Sequence, residues 1–170
     1  MQFFNAWVTH NASGLAANGT TASVNEATAQ YAHTAGATWE LTNCQGAAGS
    51  QYCTWVRAAE DVVVRASDVS PVNRVVEFQW NALQAPDIAQ QFVTAWEFGA
   101  TNAVGALATT SAASQAQALS AHHTDGWQAP SSCDGTAGSF YCTYTAGSHK
   151  LIVQVGDVSV PHQIVSVTYQ

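Results

Sequence analysis

One segment of the chain occurs twice, and this repetition constrains the fold more than any other feature. Residues 44–55 read CQGAAGSQYCTW, and residues 133–144 read CDGTAGSFYCTY. In each copy two cysteines enclose a Gly/Ala/Ser turn, and a Tyr-Cys-Thr-aromatic run follows. That layout is typical of two strands joined by a turn and cross-linked across it. We therefore expect the chain to contain two copies of one unit.

The rest of the chain follows the same offset. When the sequence is shifted by 89 positions, residues 1–81 align with residues 90–170, with about two dozen identical positions and a one-residue slip near Trp39 and Trp127. Self-similarity over a long period is the signature of repeated structural units. We predict a first repeat at residues 1–81, a linker at residues 82–89 and a second repeat at residues 90–170.

The cysteine spacing favours disulfides over a metal site. Eight residues lie between the cysteines of each pair, Cys44 with Cys53 and Cys133 with Cys142, whereas zinc knuckles have two to four. A four-thiolate metal site and free thiols are the alternatives. Disulfides imply an oxidising compartment, so we expect a secreted or cell-envelope protein. We predict no metal and no cofactor.

The charge balance excludes several classes of partner. The chain has 4 Lys+Arg against 11 Asp+Glu, with a net charge of −7. Because phosphate binding requires clustered Lys and Arg, we expect no nucleic-acid partner. No run approaches the roughly 18 apolar residues of a spanning helix. We therefore expect no direct insertion into a membrane.

The first half of each repeat has helical spacing. Phe3, Phe4 and Trp7 predict a first helix. Asp87 is the expected N-cap of the corresponding helix in the second repeat. Ser23 and Glu26 have the spacing of a capping box, which predicts a further helix that ends near His33.

The second half of each repeat alternates between apolar and polar residues, which predicts four antiparallel strands. These strands are Thr38–Cys44, Gln51–Arg57, Asp61–Ser67 and Arg74–Asn81, with Trp127–Cys133, Phe140–Thr145, Lys150–Gly156 and Gln163–Gln170 as their copies. In the last strand of each repeat, simple alternation predicts one face with Val76, Phe78 and Trp80, or with Val165, Val167 and Tyr169.

A sheet with one apolar face has to be covered, and the preceding helices are the available cover. We predict an α+β fold of two tandem repeats. Each repeat has N-terminal helices packed on a curved four-stranded antiparallel sheet, as in a cone or cystatin-like roll. The two repeats are also candidates for pseudo-dimeric packing.

This order of elements resembles a known family. Each first helix carries Phe-x-x-Ala-Trp, the last helix ends in Ala-His, and a Trp strand leads into Cys-x-Gly-x-Ala-Gly-Ser-x-Tyr-Cys-Thr. Together these motifs resemble a secreted bacterial lipoprotein-type family whose members look like shortened nuclear-transport-factor-2-like, or ketosteroid-isomerase-like, domains. The resemblance implies an extracellular or envelope-anchored setting and a cone that can hold a small ligand. It implies no established reaction.

Candidate site residues are those that differ between the repeats, because residues present in both are explained by the shared fold. This criterion selects Tyr31, Phe98, His123 and Phe140, with Glu97 also unmatched. Glu40 is added as an acid beside a repeated tryptophan. No Ser/His/Asp or Cys/His set is visible, so we predict no catalytic residue.

The leading hypothesis is a non-enzymatic extracytoplasmic module that binds a small apolar ligand or a protein partner. One alternative is an isomerase- or cyclase-like enzyme with a single active cone. Another is a secreted inhibitor or adhesin that presents Phe98 and Phe140 as exposed aromatic residues.

Overall fold

A computed structural model describes residues 1–35, 38–71, 73–130, 132–136, 138–156 and 163–170. Within these ranges the protein is α+β, with six α-helices and two four-stranded antiparallel sheets. The chain divides into two compact units. Unit 1 comprises Met1–Trp39, Cys44–Trp55 and Asp61–Asn81, and unit 2 comprises Glu40–Asn43, Val56–Glu60 and Ala82–Gln170.

The same order of elements occurs in both halves of the chain. The first half contains α1 (Gln2–Val8), α2 (Ala12–Asn18), α3 (Thr21–Ala29), the 3-10 helix η1 (Tyr31–Thr34), β1 (Glu40–Ala47), β2 (Ser50–Arg57), β3 (Glu60–Ser67) and β4 (Arg74–Ala82). The second half contains α4 (Ala85–Glu97), α5 (Thr101–Leu107), α6 (Thr110–Ala118), the 3-10 helix η2 (Ser120–His122), β5 (Asp134–Thr136), β6 (Ser139–Ala146), β7 (His149–Gly156) and β8 (Gln163–Tyr169). In both sheets each strand lies beside the next one along the chain.

Two predicted element starts are wrong. The strand expected at Trp127–Cys133 is replaced by β5, which begins at Asp134, and before it Gln128 forms only an isolated bridge. Pro130 contributes to this, because a proline has no N–H to donate to a strand ladder. Asp87 is not the N-cap of α4. Its carboxylate accepts the N–H of Gln84, the actual cap residue, at 3.1 Å.

Both predicted disulfides are confirmed. Cys44 is bonded to Cys53 with a Cα–Cα distance of 4.1 Å, and Cys133 is bonded to Cys142 at 4.4 Å. Each pair sits opposite across a tight hairpin, since Asp134, the neighbour of Cys133, pairs with the residue before Cys142. Closing so short a loop contributes roughly 2–3 kcal/mol to the free energy of unfolding.

The core of unit 1 is a cluster of aromatic side chains. Phe4 stacks on Trp55 with ring centroids 4.1 Å apart, and Trp7 lies 5.0 Å from Phe78 and 5.5 Å from Trp39. Trp7 is fully buried. Large rings therefore fill the space between the helices and the sheet in this unit.

The core of unit 2 is built more from aliphatic side chains. The amphipathic helix α4 buries Ile88, Phe92 and Trp96, and it packs against β6, β7 and β8. These strands contribute Tyr144, Leu151, Val153, Ile164 and Val167 to the same cluster.

A β-bulge in the last strand overturns the predicted strand faces. Gln154 pairs with Ser166, but the next residue of β7 pairs with Ile164, which leaves Val165 as an extra residue. Ile164 and Val167 are therefore both buried, although simple alternation puts them on opposite faces. In β4, Val75 and Phe78 are buried at the same spacing, so the prediction is wrong there too.

A helix side chain binds the last strand in each unit. Glu26 of α3 accepts the N–H of Phe78 at 3.0 Å, and Gln115 of α6 accepts the N–H of Val167 at 2.9 Å. The predicted capping box of Ser23 and Glu26 is therefore wrong. The hydroxyl of the true cap residue, Thr20, accepts the N–H of Ser23.

Residues 89 positions apart take matching places in their own units. Gly19 forms a parallel bridge with Val75, and Ala108 forms one with Ile164. The residue after each, Thr20 or Thr109, donates its N–H to the carbonyl of that strand residue at 2.9 Å in both cases. The two units can therefore be compared position by position.

The N–H of the last strand needs an acceptor oxygen on the helix, but that oxygen need not be charged, since Glu26 and Gln115 fill the same role. We expect Glu26→Ala and Gln115→Ala each to lower the free energy of unfolding by about 1 kcal/mol, because a strand N–H loses its partner. Glu26→Gln and Gln115→Glu keep an acceptor oxygen and should stay close to wild type. Urea denaturation measures all four variants. A Glu26→Gln variant as unstable as Glu26→Ala would contradict this role.

The turns after β2 and β6 provide a second pair of variants. Ala58 has φ +48°, where an L side chain is strained, and Gly147 has φ +60° at the matching position. Ala58→Gly should raise the free energy of unfolding by up to about 1 kcal/mol, and Gly147→Ala should lower it by a similar amount. No atom lies near a Cβ at Gly147, so that change tests conformation alone. In thermal unfolding we expect the melting temperature to rise for Ala58→Gly and to fall for Gly147→Ala. Changes of the same sign would refute the role assigned to backbone conformation at these two positions.

Candidate functional site

A cavity of about 140 Å³ lies in unit 2, between the end of α4, α5, α6 and η2. Most of its wall is apolar. It is lined by Trp96, Gly99, Thr101, Val104, Ala113, Gln117, Ser120 and His123.

Two hydrogen bonds hold the wall of this cavity in place. The indole N–H of Trp96 donates to the carbonyl of Ala116 at 2.9 Å, which fixes the ring between α4 and α6. The Nδ1 atom of His123 is bonded to the backbone carbonyl of Ser120. The cavity therefore combines an aromatic wall from α4 with an imidazole placed just after η2.

The matching place in unit 1 is occupied by larger side chains. Where unit 2 has Gly99 and Ser120, unit 1 has His10 and Tyr31. The rings of His10 and Tyr31 stack with centroids 4.2 Å apart, and the hydroxyl of Thr34 lies 2.5 Å from Nε2 of His10.

Two further positions change in the same direction. Val104 corresponds to Leu15, and Ala113 corresponds to Val24. The backbone at the turn is alike in both units, since φ is +54° at His10 and +67° at Gly99. Unit 2 thus has the smaller side chain at four lining positions of the cavity, whereas Thr101, Gln117 and His123 are larger than their counterparts in unit 1.

The structure places one of the five predicted ligand-binding residues, His123, in the cavity wall. Phe98 is 54% exposed on the turn beside it, and Tyr31 lies in unit 1 against His10. Glu40 is half-buried at the start of β1. Phe140 is half-buried against the unit 2 core.

The sequence analysis missed the small residues that form the cavity: Gly99, Val104 and Ala113. A signal for them existed, because each aligns with a larger residue in the first repeat. A search for polar and aromatic differences passes over such positions. Ser120 is the exception, since it is the counterpart of the selected residue Tyr31.

A half-buried carboxyl group, that of Glu97, follows the cavity residue Trp96 in sequence but does not line the cavity. Glu97 Oε1 accepts the N–H of Trp127 at 3.2 Å. Burial raises the pKa of Glu97, and the hydrogen bond from Trp127 only partly opposes this. The pKa of Tyr144 is also raised, by burial first and then by the negative charge of Glu97. Tyr144 is 1% exposed, so this pair belongs to the packed core.

The repeated histidines lie against aromatic residues of the last strand in each unit. His33 lies 4.0 Å from Trp80, and His122 lies 4.3 Å from Tyr169, measured between ring centroids. The hydroxyl of Tyr169 is 2.8 Å from Nδ1 of His149. Among the described residues, no group of three or more His, Cys, Asp or Glu side chains is arranged to hold a metal ion.

Comparison with known proteins gives no family for this chain. No protein-family model matches it, and no curated protein or solved structure does. Within the part of the chain that the structure describes, every helix is too short or too polar to cross a bilayer. The functional argument therefore rests on the geometry of the chain itself.

The carboxyl group of Glu97 makes stability depend on pH. Its folded-state pKa is raised above the ordinary 4.5, so the stability it contributes is present below that value and is lost as the pH rises through the folded pKa. Glu97→Gln keeps the acceptor for Trp127 but cannot ionise. We expect the variant to gain stability relative to wild type as the pH rises through this window, in urea denaturation at a series of pH values. A difference that does not change with pH would contradict the burial argument.

Proposed function

We propose that this protein is an extracytoplasmic, non-enzymatic binding module that takes a small apolar ligand into the cavity of unit 2. One observation carries the proposal: this cavity is open in unit 2, whereas His10 and Tyr31 occupy the matching place in unit 1. Unit 1 has a pocket of about 390 Å³ at a different place, against Phe4, Val8 and Trp39. A difference of this kind, on a shared backbone, is what two related units with separate roles would show.

The size of the cavity limits the ligand. Its volume of about 140 Å³ is close to that of an engineered apolar cavity of roughly 150 Å³ that binds benzene. Sites for drug-sized molecules are larger, at roughly 300–1,000 Å³. The ligand, or the part of it that enters, is therefore the size of one ring or a short branched chain.

The proposed setting rests on the cysteines and the charge. Two intramolecular disulfides are maintained best in an oxidising compartment. With 4 Lys+Arg against 11 Asp+Glu, the surface is unsuited to nucleic acid. The same order of elements, helices followed by a four-stranded meander, occurs in both halves, which supports a common origin of the two units. We propose that this common unit was of the nuclear-transport-factor-2-like lipoprotein type.

Two other functions have weaker support. An isomerase- or cyclase-like enzyme needs an acid or base that a substrate can reach. Glu97 has the raised pKa such a group requires, but its partners Trp127 and Tyr144 are core residues. An inhibitor or adhesin with paired aromatic residues has one exposed member, Phe98, while Phe140 is half-buried.

Residues of unit 1 can be copied into unit 2 to test ligand binding. Val104→Leu with Ala113→Val copies unit 1 and should fill the cavity, which we expect to weaken binding of single-ring apolar fragments at least tenfold. NMR titration that follows the indole N–H of Trp96 measures this. The matched control, Leu15→Val with Val24→Ala, makes the reverse change in unit 1 and should keep the affinity of unit 2. Equal affinity for the filled and wild-type proteins would refute the proposed site.

A further inference from the structure

The other unit indicates which kind of ring the cavity accepts. We infer that its ligand is a phenol, a single aromatic ring with a hydroxyl group that donates a hydrogen bond to His123. This inference rests on the proposed function and narrows the ligand to one chemical class.

The first argument comes from what occupies the matching place in unit 1. There the phenol ring of Tyr31 is stacked on the imidazole of His10. In unit 2 these residues are replaced by Ser120 and Gly99, both of which line the cavity. His10 is exposed and Tyr31 half-buried, so the stacked pair lies at the surface of unit 1, and the matching surface of unit 2 has room for a flat ring.

The second argument comes from the wall. Trp96 is 6% exposed, and its indole is held by the bond to Ala116. Aromatic pairs are favoured beyond the apolar area that they bury, and a ring held in one orientation can provide such a contact. A fixed indole therefore favours an aromatic ligand over a saturated one of the same size.

The third argument comes from the tautomer of His123. A backbone carbonyl only accepts hydrogen bonds, so the Nδ1 atom that is bonded to Ser120 must carry the hydrogen. In the neutral ring, Nε2 is then an acceptor, which a ligand in the cavity that His123 lines can use. A phenol can donate its O–H to Nε2, whereas an ether or a carboxylate offers only acceptors. The ligand class is therefore a phenol rather than an aryl ether or acid.

The test compares phenol, toluene and cyclohexanol by NMR titration. Toluene keeps the ring and replaces the hydroxyl, and cyclohexanol keeps the hydroxyl and loses the aromatic ring. Phenol should bind wild type at least fivefold more tightly than cyclohexanol. His123→Leu removes the acceptor but keeps an apolar side chain, so the preference for phenol over toluene should fall about fivefold. The ratio of the affinities for phenol and toluene is compared between wild type and His123→Leu, which cancels the different costs of desolvating the two ligands.

A second variant keeps the inference testable if His123→Leu is poorly folded. His10→Gly with Tyr31→Ser opens the matching place in unit 1. Phenol should raise the melting temperature of this variant more than that of wild type, because it replaces the missing ring. N-acetyltyrosinamide in the same titrations distinguishes a free phenol from a tyrosine side chain, and tighter binding of this compound than of phenol would overturn a free phenol as the ligand.

The outcomes separate the inference from the proposed function. If toluene or cyclohexanol binds the cavity as tightly as phenol does, the assignment of the ligand as a phenol is wrong, while the proposal of a binding module stands. If none of the compounds shifts these resonances, both are wrong.

Discussion

The bond between a helix side chain and the bulged last strand is the constraint on which the rest of this structure depends. The bulge at Val165 turns Ile164 and Val167 to the same side, and Gln115 accepts the N–H of Val167 at the open edge of β8. Because Gln115 lies on α6, the bond fixes the helix that carries Ala113 and leads into His123. The bond between α6 and the last strand thus helps to hold the cavity wall in position.

The sequence predicts the parts of this fold that have a regular period. The spacing of Phe3, Phe4 and Trp7 matches α1, and the cysteine spacing matches the two disulfides, because both depend on local geometry alone. A bulge has no such signal. One extra residue in a strand moves every following side chain to the opposite face of the sheet. A strand rich in Val fits the register with or without the extra residue. The acceptor role of Glu26 has no local signal either, because its partner Phe78 is 52 residues away.

The site is harder to predict than the fold, because the cavity lies where several side chains are small. The sequence identifies His123 because Thr34 stands at the matching position of the first half. Gly99 and Ala113 carry no chemistry of their own, and their meaning appears only beside His10 and Val24 at the matching positions. Each half of the chain thus provides a reference for the other, and the changes from large to small at these positions are as informative there as changes in charge.

The openness of the cavity to solvent bears on what a ligand would do there. Gly99, Thr101, Gln117 and Ser120 of its wall are exposed, so water reaches the apolar part of the wall. Leu15 and Val24 show that larger residues are compatible with this backbone at two of its positions. Unit 2 therefore retains open apolar surface that substitutions already present in the same chain would reduce. A ligand that covers this surface removes it from water, at about 25 cal/mol per Å² of apolar area, and stabilises the folded state through its binding free energy.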